Sequence, residues 1–156
     1  MKKLLLLFSL ILLFSFIPKE ETISGMLYFK MIEFVNTYGL NNEQQNLYNK
    51  MVADIRLKKN PTKDEQALIS QVDAIKQAGL EKSPYMKVKT ADGKVLLVFL
   101  TEDEYKSFSG YKLKDLQDEN KKVMVKLNAT EVKPSIYKSK KVLEVQKIDG
   151  LTPWDK

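Results

Sequence analysis

The side chains able to do acid–base work gather in two places. Glu102, Asp103 and Glu104 stand in succession, and Asp115, Asp118 and Glu119 form a second acidic group. Paired carboxylates can divide proton transfer between a general acid and a general base, as in glycoside hydrolysis. Each group also has a plainer reading. Thr101 ahead of Glu104 makes a capping box, and this turns the first group into first-turn residues favoured by the helix dipole. The second group lacks the ligand spacing and closing glutamate of a calcium loop. The chain has no histidine and no cysteine. Ser-His-Asp and Cys-His systems, disulfides and thiolate metal sites therefore cannot be assembled. Ser107 and Ser109 have no base in view, and no phosphate-binding loop, GxGxxG or GxSxG occurs. A small carboxylate-based hydrolase is the enzymatic alternative. The expectation is a protein that is not an enzyme, with no metal and no cofactor.

The remaining chemistry is that of charge. The formal net charge is +6, with a single arginine, Arg56, among the basic residues. Residues 19–82 balance nine basic against nine acidic groups, while residues 83–156 carry fifteen against eleven. A basic face of this kind suits a polyanion such as nucleic acid or an acidic polysaccharide. The candidate ligand-binding residues are Lys87, Lys89, Lys112, Lys114, Lys126 and Lys138, with Tyr111 and Tyr137 as stacking surfaces. The plainer reading makes these lysines the solvated faces of strands and a guard against edge pairing. The scarcity of arginine, which grips phosphate bidentately, favours the plainer reading.

Several elements must position these groups. Met26 to Val35 is apolar with polar residues three apart, which suits a helix; a strand is the alternative for so short an aromatic run. Asn41 or Asn42 caps a helix over about residues 43–58 whose stripe is Leu47, Met51 and Ile55, flanked by Tyr48 and Val52. Pro61 closes the turn, Thr62 and Glu65 form a capping box, and Leu68, Val72 and Ile75 are the buried face of a second helix ending at Gly79. From Ser83 the period changes to two. Met86–Thr90 and Lys94–Leu100 flank a turn at Ala91-Asp92-Gly93, and the second run reads as buried on both faces. A short helix opens at Thr101 and closes at Gly110, and Tyr111–Leu116 forms a further strand. Lys121–Lys133 turns Val123, Val125, Leu127 and Ala129 inward. After Pro134-Ser135-Ile136, Lys140–Ile148 returns with Leu143 and Val145 inward.

The order MKVKTADGKVLLVFL, TEDEYKSFSG, KKVMVKLNATEVKPSIYKSKKVLEVQKIDG is hairpin, short helix, long hairpin. It resembles the later part of an OB-fold barrel over about residues 85–149, under half of the chain. The first OB strand is not evident, so either Met26–Val35 supplies it or the sheet is an open antiparallel layer. The fold class is α+β: an N-terminal helical segment followed by a small antiparallel sheet domain, in the OB-like reading a five-stranded barrel.

The N-terminus sets the compartment. Met1-Lys2-Lys3 precedes Leu4–Ile17, fourteen residues in which only Ser9 and Ser15 are polar, and Pro18 ends the run. That is the pattern of a signal peptide or a retained signal-anchor. Thr22 and Ser24 are the small-residue pair for cleavage, which would release a chain starting at Gly25. The divisions are then 1–24 leader, 25–82 helical segment, 83–150 sheet domain and 151–156 polar tail. The expectation is an exported, periplasmic, secreted or membrane-anchored protein with a binding or structural role. Its partner is an anionic polymer or an envelope protein, and residues 1–17 touch the membrane if the leader is retained.

Overall fold

The computed structural model describes residues 20–27, 35–107 and 121–149. Five strands, β1 (Glu20–Leu27), β2 (Tyr85–Lys89), β3 (Val95–Phe99), β4 (Lys121–Lys133) and β5 (Ile136–Asp149), close into a barrel in the order β1-β2-β3-β5-β4. The pairing of β3 with β5, at Leu97↔Ile136 to Phe99↔Lys138, is parallel; the other pairs are antiparallel. A helical hairpin, α1 (Asn42–Leu57) and α2 (Lys63–Gln77), lies between β1 and β2, and a short helix, α3 (Glu102–Ser107), lies between β3 and β4. This is an OB-like topology, a closed mixed barrel with a helix ahead of its last hairpin.

Alternation along the strands builds the barrel interior. Ile23, Met86, Val88, Leu96, Val98, Val123, Val125, Leu127 and Ala129 all point inward and form one buried cluster. A second cluster lies outside the barrel wall. Leu97 and Phe99, on the outward side of β3, pack with Ile136, Val35, Leu80 and Ile75 of α2. The unbroken apolar run of β3 follows from this: one face fills the barrel and the other meets the hairpin.

Local chemistry fixes the hairpin. Asn41 caps α1 and Thr62 caps α2, each in a reciprocal box with Gln44 and Glu65. Gly79 ends α2 at φ 68°, a conformation glycine takes without the Cβ penalty. Asn36 then pins the hairpin to the barrel. It is buried, donates through Nδ2 to the carbonyls of Leu80 (3.1 Å) and Ser83 (2.7 Å), and accepts from the Tyr38 N–H (3.2 Å). Its polar atoms are satisfied, as burial demands.

One alternative left open by the sequence resolves, and two expectations meet a different arrangement. Met26 and Leu27, which suit a helix or a strand, are the end of β1, where they pair with β2 and β4. β1 runs from Glu20 to Leu27, and the helical hairpin follows as an insertion in the sequence between two barrel strands. On α1 the buried face is Tyr48, Val52 and Ile55, while Leu47 is 67% exposed. Tyr48 packs its ring inward on this face, with its hydroxyl 3.4 Å from the Val35 carbonyl. Leu143, expected inward, is exposed. The β4–β5 ladder steps from Lys126↔Glu144 to Leu127↔Val142, so Leu143 is the extra residue of a bulge and Val142 and Val145 both pack inward. Gly110, the strand expected at Tyr111–Leu116 and Trp154 lie outside the described residues.

Gly25 is where β1 passes from β4 to β2. A Cβ built there would stand 2.5 Å from the Lys89 carbonyl oxygen and 2.7 Å from Val88 Cγ1. Gly25→Val must therefore push two strands apart at the seam, and we expect a loss of about 1–3 kcal/mol in unfolding free energy, the usual cost of overpacking. Denaturant unfolding of the variant beside the parent checks this.

Candidate functional site

In OB barrels the outward face of the second and third strands, flanked by the loops after strands one and four, takes the ligand. Here that face is occupied. Tyr85 and Phe99 sit opposite each other across β2 and β3 with ring centroids 5.8 Å apart. Phe99 is fully buried beneath the helical insertion that forms the first of those loops. The stacking platform is thereby made into core.

Next to it a cleft of about 660 Å³ runs between α2 and the β4–β5 turn. Ile136, Leu68 and Pro134 supply apolar lining, and Asp64, Glu65 and Lys133 line it with charge of both signs. Lys133 bridges the two walls, donating to the Ser70 hydroxyl and carbonyl. Glu65 is engaged by Lys58 and by the Thr62 N–H, which hold its carboxyl below the ordinary range; the Lys58 hydrogen bond is the larger cause. The cleft thus joins an apolar lining to charge of both signs: Lys133, bonded to the uncharged Ser70, keeps its positive field, Glu65 is paired with Lys58, and Asp64 adds a carboxylate. An apolar side chain fits the lining.

The described lysines among those singled out from the sequence stand on three strands. Lys87 and Lys89 are half-buried on the outward side of β2. Lys126 is exposed on β4, opposite Glu144 on one side and Ser24 on the other. Lys138 is exposed on β5, between Thr130 and Phe99. Strand alternation turns all four outward, on β2, β4 and β5. Tyr111, Lys112 and Lys114 lie outside the described residues. Tyr137 belongs to the barrel core at 8% exposure, so its ring is not available for stacking. Its hydroxyl faces Glu131 at 3.5 Å, and burial, followed by the nearby carboxylates of Glu131 and Glu21, pushes the phenol above its ordinary value.

The acidic trio at 102–104 is likewise absorbed. The Glu104 carboxylate accepts from the Thr101 N–H (2.8 Å) through one oxygen and from the Ser139 hydroxyl (2.7 Å) through the other. It caps α3 and ties it to β5. Glu102 and Asp103 are exposed first-turn residues. Asp115, Asp118 and Glu119 lie outside the described residues. Among the described residues no group of three metal-binding side chains is found. The cleft was not foreseeable from the sequence, since its two walls are some sixty residues apart and neither carries a motif.

Comparison with protein-family models, with curated proteins and with solved structures finds no match to this chain. The class it belongs to is therefore defined by its own geometry: an α+β protein on a closed, five-stranded OB-like barrel whose outward β3 face is sealed by an inserted helical hairpin.

Two measurements test this assignment. Phe99→Ala should cost about 3–5 kcal/mol of stability, as for a large core side chain; an exposed stacking residue would change stability by less than about 0.5 kcal/mol. For Tyr137 the folded-state pKa is raised, so its contribution is complete below the unfolded value near 10 and is lost as pH rises through the folded value. Alkaline unfolding should begin above pH ~10, and Tyr137→Phe should shift that transition to higher pH.

Proposed function

We propose that the protein is an exported, non-catalytic component of the cell envelope or its surroundings, and that its barrel serves binding or structure, with a protein as the partner. One observation carries the choice of partner. The face that receives nucleic acid or sugar in OB barrels is filled by Leu97 and Phe99 under the hairpin, which leaves no open stacking platform there. The cleft beside it has Leu68 and Pro134 in its lining, and an apolar side chain of another protein fits it. The lysine-led leader pattern at Met1–Ile17 supports export.

A polyanion-binding module is the second reading. The excess of fifteen basic over eleven acidic groups in residues 83–156 favours it, together with the outward direction of Lys126 and Lys138. Counterion release separates the two readings, because phosphate or sulfate contacts make affinity fall steeply with salt. Binding of the purified chain to single-stranded DNA, RNA and an acidic polysaccharide is expected to be absent at low salt. Tight binding that collapses between low and physiological salt would replace the protein-partner reading with the polyanion one.

A further inference from the structure

We infer that the chain is not cut between Ser24 and Gly25, and that the apolar run Leu4–Ile17 stays attached and tethers the barrel to the membrane. This rests on the export reading above. Thr22 and Ser24 are the only small residues at the spacing a signal-peptide cleavage site requires near the end of the apolar run. Both belong to β1. The strand pairs with β4 from Glu20↔Thr130 to Met26↔Met124, and Ile23, between the two small residues, is buried in the barrel. A cut after Ser24 would leave β1 with Gly25, Met26 and Leu27. The ladder from Glu20 to Ser24 would go, Ile23 would leave the core, and β4 would gain an open edge facing solvent.

A cut upstream of Glu20 would spare the strand, but the sequence offers no place for one. Ser15 is the only small residue between Leu10 and Lys19; it lies inside the apolar run, and Leu13 and Ile17, two residues to either side, do not make a small-residue pair with it. The chain between the apolar run and β1 thus holds no small-residue pair, and the pair beyond it lies in a strand the fold cannot spare. Left attached, Leu4–Ile17 is the segment that engages the membrane, with the lysines of Met1-Lys2-Lys3 on the cytoplasmic side.

The test uses the full chain with a C-terminal tag, fractionated, washed at high pH and weighed intact. The expected result is a tag exposed outside the cytoplasmic membrane, retained in the membrane pellet, on a chain with the full 18.0 kDa mass plus the tag. An exported, released chain beginning at Gly25 would overturn the inference and leave the export reading standing. A tag found in the cytosol would overturn both. A second variant keeps fold and tether apart. Ile17→Ala with Lys19→Ala places a small-residue pair just ahead of Glu20. This variant should be released as a soluble chain starting at Glu20 with the parent's cooperative unfolding; failure to fold after that cut would show that the run is part of the folded domain and would overturn its role as a tether.

Discussion

The seam formed by β1 is the constraint on which the rest of the structure depends. A barrel of five short strands has little interior to bury, and closure is what lets each inward residue meet neighbours on all sides. β1 supplies closure by pairing with β4 over most of its length and with β2 at its end. The strand can serve both neighbours because Gly25 lets backbone approach backbone where any Cβ would strike Lys89. Ile23 fills the interior opposite the β4 side chains. Without the seam, β2 and β4 become edges, and the parallel β3–β5 contact, only three residues long, would have to hold the two hairpins together.

The inserted hairpin is the second structural decision, and it follows from the first. β1 and β2 are neighbours in the closed barrel, so any insertion between them must leave and return at adjacent points. Asn36 and Leu80 mark those points. The amide of Asn36 binds the chain returning from α2, and Leu80 packs with Val35 from the chain going out. The hairpin is thereby laid across the outer face of β3. The helix supplies Ile75 and the strand supplies Leu97 and Phe99, so the chain covers with its own residues an apolar face that would otherwise invite a ligand or another copy.

How much of this was legible in the sequence depends on how far apart the interacting residues lie. Capping boxes at Thr62 and Thr101 and the αL glycine Gly79 are decided within a few residues, and they appear as read. The alternation of Val123, Val125, Leu127 and Ala129 is equally local. β1 was obscured because EETISGML carries one strong inward residue and sits where a leader pattern claims the chain; only its distant partners make it a strand. Leu143 failed for the same reason in miniature. A period of two assumes an unbroken register, and the bulge opposite Lys126 and Leu127 resets it. On α1, Leu47 and Tyr48 are adjacent and each begins an apolar stripe. Tyr48 is the one buried, with its hydroxyl toward the Val35 carbonyl, and the surroundings that decide this lie outside the helix itself.

The candidate site shows the same limit from the side of chemistry. Residue type says what a group can do, and placement decides what it has left to do. Glu104 could act as an acid or base by type, but both of its carboxylate oxygens are taken by Thr101 and Ser139. Tyr137 could stack on a base by type, but strand parity turns it inward. Of the described lysines, Lys126 and Lys138 keep their exposure and Lys87 and Lys89 are half-buried, all on the outward side of their strands. Exposure leaves such a group its field but supplies no fixed geometry for gripping one ligand. The cleft at α2 differs, because Leu68 and Pro134 line it beside a face the chain has otherwise covered.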